Sequence, residues 1–351
     1  MNAVLTSDHC RVRPLTEPIP KTLLGSSVAD IFRYLVRMND SNGHCPFKQA
    51  VSTILKSIDA TQIADQSHKW AQVLIDEVGQ KAASSYCSDF SFHLPVYVIA
   101  SLLGVPHDTL HQIALWMSDF VPCLAPSSSP EQVKRGKEAA DHLRDLFHSL
   151  LSSQQVGRSA GLLATLAEEA KQVGCEETEV IVANGIGFLS QAYEATAGLI
   201  GNTIVALASH RTVREQVRAD PSLFRSVIKE VLRYDPPIQN TRRFLAQDGR
   251  VANQEMKEGD VVLVVLAAAN RDPLANPNPE QFDIFRKDRH IFTFGAGPHI
   301  CPGETLATMI ASAGVEQLTA SGVDLEQLAR TVIYRSSVNA RIALLATKED
   351  A

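Results

Sequence analysis

The chain has 351 residues, of which 45% are hydrophobic and 21% charged, so it can bury a large core without crosslinks. Proteins that bind nucleic acid or an anionic membrane carry an excess of Lys and Arg. The formal net charge of -6 argues against both kinds of partner. The first residues contain no apolar run typical of a signal peptide, and no stretch of about 18 consecutive apolar residues occurs. Its 6 cysteines are scattered without a C-x-x-C pair, which indicates neither a disulfide framework nor a structural zinc site. We therefore expect a cytoplasmic protein.

The spacing of apolar residues predicts a succession of helices. Ranges 60–83 and 129–153 carry apolar residues three and four positions apart, which is typical of amphipathic surface helices. Range 176–210 is apolar almost all round, which predicts a long helix buried through the centre of the protein. Range 220–237 opens with an Asp-Pro pair and closes with two prolines, the usual signals for the start and end of a helix.

The strand signals are few and short. Range 259–268 reads as one strand, and range 330–346 reads as a late hairpin. We found no internal repeat and no linker-like stretch. The sequence therefore predicts a mostly α protein with small β-sheets, in a single domain over residues 1–351.

One cysteine stands in an unusual loop, FTFGAGPHICPG. A helical stripe begins just after Pro302 and Gly303, so Cys301 is predicted to lie at a helix N-terminus, where unpaired amides and the helix dipole lower the pKa of a thiol. The glycines before it allow a tight turn and a close approach of the backbone to a flat partner. These features indicate a pocket for a thiolate, with a nucleophile or an ordinary buried thiol as the alternatives.

The loop also fits a known motif. The pattern is F-x-x-G-x-x-x-C-x-G, matched by Phe294, Gly297, Cys301 and Gly303 and extended by Gly295 and His299. This pattern closely resembles the haem-ligand loop of the cytochrome P450 family. The resemblance implies the cytochrome P450 fold, with haem b between the central long helix and the helix that follows the Cys loop, and Cys301 as the axial ligand of its iron. It covers roughly 300 residues, and residues 1–43 correspond to a shortened N-terminal region.

A second motif of the family lies on the predicted helix 220–237. Glu230 and Arg233 match the E-x-x-R pair, which on its own is usually a surface ion pair. In the family a further Arg braces this pair, and here Gln281 stands in its place. The resemblance therefore predicts a corner that lacks one positive charge. The segment AAANRDP, residues 267–273, also resembles the family.

Haem has two propionates, and burying carboxylates requires cationic partners. By resemblance the candidates for these contacts are four residues, His44, Lys48, Arg243 and His299. Lys48 replaces the usual Arg, with a solvated helix face as the alternative. Arg242 is the alternative to Arg243 for the propionate contact, or the two residues share it.

The long buried helix contains a polar island, SQAYEATAG. A carboxylate in the middle of a buried helix needs a role or a partner. The family pattern is an acid followed by a threonine, and Glu194 with Thr196 fits this frame, while Ala195 occupies the position of the threonine. The hypothesis is that Glu194 and ordered water, helped by Thr196 or by a substrate hydroxyl, deliver the protons that the missing alcohol would donate.

The resemblance implies a monooxygenase that uses O2 and two electrons to oxidise an apolar small molecule, in a natural-product pathway. No flavin or nicotinamide motif occurs, so electrons would come from a ferredoxin and a ferredoxin reductase. The segment FRKDRH, residues 285–290, is either a basic docking site for an acidic ferredoxin or a solvated loop.

Two other functions remain open at this point. Ala195 is compatible with a peroxide-driven oxygenase or a non-oxidative haem enzyme on the same fold. Gln281 and Lys48 are compatible with a haem-binding relative that has no catalytic activity.

Overall fold

A computed structural model describes residues 1–40, 44–78, 86–155, 161–330 and 332–345, without the side chains of residues 44, 45, 78, 86, 87, 154 and 155. The helices of this part of the chain are α1 Asn2–Leu5, α2 Ser27–Tyr34, α3 His44–Ser57, α4 Ala60–Val78, α5 Tyr86–Leu103, α6 Leu110–Cys123, α7 Pro130–Gln155, α8 Leu162–Gln172, α9 Thr178–Ser209, α10 Arg211–Ala219, α11 Phe224–Tyr234, α12 Leu266–Asn270, α13 Glu304–Ala320 and α14 Leu325–Ala329. The strands are β1 Cys10–Arg11, β2 Thr241–Leu245, β3 Gly249–Val251, β4 Gln254–Met256, β5 Val261–Val264, β6 Val332–Tyr334 and β7 Ala343–Leu345. The protein is mostly helical with small sheets, as predicted.

The predicted helices are present, with two differences in detail. Asp220 caps a short 3-10 turn, accepting a hydrogen bond from Ser222 N–H at 3.1 Å, and the α-helix begins only after that turn. The apolar run 259–268 is divided between β5 and α12, because its alanine-rich second half has a strong helix propensity. Residues 79–83 of the first predicted helix lie outside the described residues.

Helix α9 is the centre of the fold. Helices α2, α5, α7, α11 and α13 pack around it, which explains why its sequence is apolar on nearly every side. Near its end the side chain of Asn202 donates to Arg341 O at 3.0 Å and accepts from Ala343 N–H at 3.2 Å. These bonds fasten the C-terminal hairpin, formed by β6 and β7, to the central helix.

Three small antiparallel sheets are present among the described residues, with strand orders β1-β2-β5, β3-β4 and β6-β7. In the first sheet Thr241 is paired with Val264, and Arg243 with Val262. This register and the alternation of strand side chains bury Arg243 and leave Arg242 exposed.

A buried ion cluster connects α11 to the segment before the Cys loop. Glu230 and Arg233 are both fully buried and paired at 2.7 Å. Arg289 donates from Nε to Glu230 at 2.8 Å, and the Nε of Arg286 lies 3.7 Å from the same carboxylate. The expectation that this corner lacks a positive charge is therefore wrong, because Arg286 and Arg289 supply what Gln281 does not.

The same cluster narrows the docking hypothesis for segment 285–290. The side chains of Arg286 and Arg289 are only 9% and 10% exposed, and the Nη2 group of each donates to backbone carbonyls. An incoming protein cannot contact two guanidinium groups that point inward to Glu230. Lys287 and His290 are exposed, so these two residues are what the hypothesis retains.

Asn270, at the end of α12, holds the chain that leads into the Cys loop. Its side chain is fully buried, donates to Leu232 O at 3.0 Å and accepts from Phe292 N–H at 2.7 Å. The AAANRDP segment thereby fixes the start of the loop against α11.

None of the helices in the described residues is long and apolar enough to cross a membrane.

Candidate haem site

The loop that carries Cys301 is a short, tightly hydrogen-bonded turn. Cys301 N–H donates to Phe294 O at 2.9 Å, and Gly295 N–H donates to Phe292 O at 2.9 Å. Gly295 and Gly297 have φ angles of +73° and +70°, a region that favours glycine. A Cβ at Gly297 would lie 2.7 Å from Leu5 O, so that residue must be glycine for the N-terminal segment to pack there.

Gly303 caps α13, so Cys301 lies just before a helix N-terminus, as predicted. Burial raises the pKa of the Cys301 thiol, while a hydrogen bond from Gly303 and the positive charges of Lys48 and Arg37 act in the opposite direction. The expected net lowering of this pKa is therefore wrong, because desolvation outweighs the hydrogen bond and the two positive charges. A metal cation that replaces the proton would supply the missing stabilisation of the thiolate.

Cys301 is accessible to water, although the protein around it is dense enough to desolvate its thiol. Arg37 combines the same two properties, because its side chain is exposed and burial nevertheless lowers its pKa. Cys301 and Glu194 both attract the Arg37 guanidinium, so the fold brings the Cys loop and the acid of α9 into the neighbourhood of one cation.

Two of the propionate candidates lie near Asp40, and a third is close enough to Cys301 to be attracted by it. Lys48, on α3, is half-buried, and burial lowers its pKa while attraction to Cys301 opposes that effect. His299 bonds Asp40 at 2.9 Å between Nε2 and Oδ1. Burial also lowers the pKa of Arg243, with Asp40 as the attracting carboxylate. His44 begins α3, but its side chain lies outside the described residues.

Glu194 lies in the middle of α9, opposite the C-terminal hairpin. Its Oε1 is 3.6 Å from Arg335 Nη2, and both side chains are about one quarter exposed, at 26% and 27%. Arg335 also hydrogen-bonds the hydroxyl of Tyr193 and lies over the ring of Phe92. The acid predicted for the polar island therefore has a cationic partner, which explains how a carboxylate persists on a buried helix.

The two residues that follow Glu194 differ in chemistry. Ala195 offers only a methyl group. Thr196 is 1% exposed, and its Oγ1 has no hydrogen-bond partner among the described residues. A buried hydroxyl without a partner is uncommon and costs free energy, so this atom is free to bond a water or a ligand group.

The residues fit a haem group. Cysteine thiolate is a known axial ligand of haem iron, and here the thiol is accessible at the end of a glycine-rich turn. Lys48 supplies a positive charge near Cys301 and Arg243 supplies one near Asp40, which suits a group with two carboxylates. Thr196 provides an unsatisfied hydroxyl on α9.

Sequence reasoning missed several members of the site. Asp40 and Arg37 lie a few residues before His44 but belong to no motif, and Arg335 reaches Glu194 only through the fold. For these three residues the sequence offers no signal. For the ion cluster it does offer one, because a buried Glu230 next to a single arginine suggests that further cations lie nearby.

Comparisons with known proteins agree with this geometry. A family model of cytochrome P450 matches residues 98–318. A cytochrome P450 of Bacillus subtilis (strain 168) is 29% identical over 73% of this chain and 62% of its own length. Vitamin D(3) 25-hydroxylase of Pseudonocardia autotrophica is 33% identical over 72% of this chain and 62% of its own length. The chain thus spans less than two thirds of the length of these curated relatives.

A solved structure extends the similarity over almost the whole chain. The crystal structure of P450BioI in complex with hexadec-9Z-enoic acid ligated acyl carrier protein matches with a TM-score of 0.83 and 25% identity, over 97% of this chain and 88% of that one. The family model covers more than half of the sequence, and the chain therefore belongs to the cytochrome P450 family.

Proposed function

We propose that this protein is a haem-thiolate monooxygenase that inserts one oxygen atom from O2 into a small molecule of a natural-product pathway. Two electrons and two protons reduce the second oxygen atom to water. The observation that carries the proposal is the geometry of the Cys301 loop, in which Cys301 N–H bonds Phe294 O at 2.9 Å and the accessible thiol lies just before the N-terminus of α13. The hydroxylase among the relatives supports this class of reaction.

Haem b is the cofactor of this family, and when bound it supplies a thiolate-ligated iron that favours cleavage of the O–O bond. Cys301 is the proposed axial ligand, and the Gly303 N–H tempers the charge on its sulfur. Phe294 and Gly295 shape the loop, since Phe294 O fixes the Cys301 amide and Gly295 makes the turn.

We propose that the propionates are held by His44, Lys48, Arg243 and His299. Arg243 donates part of its fork to Thr241 and to Arg242 O, which leaves its second Nη group available for a carboxylate. Asp40 orients the ring of His299 through a hydrogen bond of 2.9 Å to Nε2.

The proposed proton path uses Glu194 and Thr196. The carboxylate of Glu194 is the proposed proton acceptor. Arg335 fixes its position, with Nη2 at 3.6 Å from Glu194 Oε1. The unpaired Thr196 hydroxyl can bond an ordered water beside the methyl group of Ala195. In this way water takes the place of the alcohol that Ala195 lacks.

The proposed electron donors are a ferredoxin and a ferredoxin reductase, because the chain contains no motif for a flavin or a nicotinamide. Their docking surface does not include the guanidinium groups of Arg286 and Arg289, which are paired with Glu230.

The experiment that tests the proposal is a spectrum of the reduced, carbon-monoxide-bound protein after loading with haem. Thiolate ligation gives a red-shifted main band, and Cys301→Ser should abolish that band. Cys175→Ser changes a half-buried thiol outside the loop and is the control that should leave the spectrum unchanged. A wild-type protein that binds no haem, or an unaltered spectrum for Cys301→Ser, contradicts the proposal.

Ala195 favours one second candidate, a peroxide-driven oxygenase, since peroxide already carries the electrons and protons of the reduced oxygen. Turnover with hydrogen peroxide that exceeds turnover with ferredoxin and its reductase would select this candidate.

A further inference from the structure

Asp40 is a carboxylate at a point where three segments of the chain meet. Its Oδ1 accepts a hydrogen bond from His299 Nε2 at 2.9 Å, and its Oδ2 accepts one from Val12 N–H at 2.9 Å. The side chains of His299 and Asp40 are only 12% and 18% exposed. Burial alone would raise the pKa of Asp40, but these hydrogen bonds and nearby positive charges outweigh burial, so this pKa lies below its ordinary value. Asp40 is therefore ionised at neutral pH, and both of its oxygens have partners.

Arg243 belongs to the same group of side chains. Strand β1 is paired with β2, with Arg11 opposite Phe244. This antiparallel register continues toward Val12 and Arg243, so the N–H group that binds Asp40 lies beside the strand that carries Arg243. Arg243 is 6% exposed, and Asp40 is the carboxylate that attracts its guanidinium. Asp40 thus acts on two of the four residues proposed for the haem propionates.

The backbone that presents Asp40 is held in place. Nη2 of Arg13 donates to Asn39 Oδ1 at 2.6 Å, and Nδ2 of Asn39 donates to Leu35 O at 2.9 Å. These bonds fasten the turn before Asp40 to the N-terminal segment and to α2. When a ligand arrives, the carboxylate of Asp40 can move by rotation of its own side chain, but its negative charge stays near His299.

A propionate and Asp40 need the same donors. The Nε2–H group of His299 has one proton to donate, and this proton goes to Asp40. Two carboxylates that share one cation also repel each other, more strongly in a poorly solvated site than in water. Arg11 also attracts Asp40, but that attraction does not return the proton of His299 to a ligand. A propionate that approaches His299 and Arg243 therefore has to displace Asp40 or lie beside its negative charge.

We propose that Asp40 competes with a haem propionate for His299 and Arg243, and that this competition weakens the hold of the chain on haem. The inference rests on the proposed function and adds a residue that opposes cofactor binding to those that support it. Removing the charge of Asp40 should then strengthen haem binding, whereas removing an ordinary supporting residue would weaken it.

The test measures the rate at which the loaded protein loses its cofactor to an excess of apomyoglobin, so the result does not depend on turnover. The two cofactors compared are haem and haem dimethyl ester, which has no free carboxylate. Asp40→Asn should slow the loss of haem about tenfold and leave the loss of the ester unchanged. Asp65→Asn changes the net charge equally at an exposed position of α4 and is the control, which should alter neither rate.

A second variant and a second background separate competition from a structural effect. Asp40→Ser keeps one hydroxyl acceptor without the charge, and it should change the loss of haem in the same direction as Asp40→Asn. In a protein that already carries His299→Gln and Arg243→Gln, the effect of Asp40→Asn should shrink, because the donors for which Asp40 competes are gone. An undiminished effect in that background would place the action of Asp40 elsewhere and overturn the proposal.

Other outcomes also decide the matter. Faster loss of haem from Asp40→Asn means that Asp40 supports the cofactor site, and an unchanged rate means that it does not compete. Equal slowing for haem and for the ester means that the carboxylates of the cofactor are not involved. Each of these three results overturns the proposal. The proposed function fails separately, when the carbon-monoxide spectrum shows no thiolate ligand.

Discussion

Arg289 Nε donates to Glu230 Oε2 at 2.8 Å, which ties the segment before the Cys loop to helix α11. Arg289 also donates to Asp283 O and Ile284 O, so one side chain closes the turn and satisfies the buried carboxylate. A buried ion cluster thus fixes the segment that leads into the Cys301 loop.

Replacing Arg289 should therefore destabilise the protein. Arg289→Gln leaves Glu230 with one hydrogen-bonded partner fewer, and we expect the free energy of unfolding to fall by about 1.5 to 3 kcal/mol. Denaturant titration measures this change. Lys287→Gln, at an exposed position in the same segment, is the control and should change little. Gln281→Arg should give no gain, and a clear stabilisation by that variant would contradict the assignment of Arg289.

Two glycines of the Cys loop should differ in their tolerance of a side chain. Gly295→Ala introduces only the cost of a left-handed backbone, about 1–2 kcal/mol, because no atom lies within 4 Å of the added Cβ. Gly297→Ala carries the same strain and also meets Leu5 O at 2.7 Å. Unfolding measurements should show a larger loss for Gly297→Ala, and equal losses would mean that the N-terminal segment does not pack on the loop.

Tyr193 should make stability depend on alkaline pH. Burial raises its pKa to about 12 from the ordinary 10, with Arg335 acting in the opposite direction. Below pH 10 both folded and unfolded chains keep this proton, whereas between pH 10 and 12 only the folded chain does, so stability falls as the pH rises. For Tyr193 alone the loss between pH 9 and 11 is about 1 kcal/mol.

Tyr193→Phe should remove that part of the dependence, as measured by urea unfolding at the two pH values. Tyr97, whose pKa burial also raises to about 12, contributes in the same direction and remains in the variant. A variant with the same pH dependence as wild type would show that Tyr193 does not keep its proton.

The rate of product formation tests the role assigned to Glu194. With a substrate that fits, Glu194→Gln should lower the rate about a hundredfold or more, because a general acid–base group is lost. Glu179→Gln makes the same change in the first turn of the same helix and should have little effect.

Ala195→Thr should change the ratio of product formed to NAD(P)H consumed only slightly, if water replaces the alcohol as proposed. Poor coupling of wild type with every accepted substrate, together with a large improvement in Ala195→Thr, would show that the alanine is a simple lesion.

The parts of the molecule that sequence predicted well are those with local causes. The all-round apolar pattern of 178–209 permits only a buried helix, and the glycines before Cys301 permit only a tight loop. Both conclusions need no knowledge of distant residues.

The parts that sequence missed depend on contacts between distant segments. The segment 285–290 has the composition of a solvated basic loop, and only the fold brings Arg286 and Arg289 to Glu230. Arg335 belongs to no motif, and it meets Glu194 because the C-terminal hairpin is fastened to α9. A local sequence pattern cannot distinguish a hydrated guanidinium from one that is paired with a buried carboxylate.

The C-terminal hairpin has a consequence for the order of assembly. Asn202 and Ala343, which it holds, are 141 residues apart along the chain. Closing so long a loop costs conformational entropy that the local contacts of a helix do not, so we expect α9 to form before the hairpin packs on it. Until the hairpin packs, the acid in the middle of α9 has no Arg335 beside it.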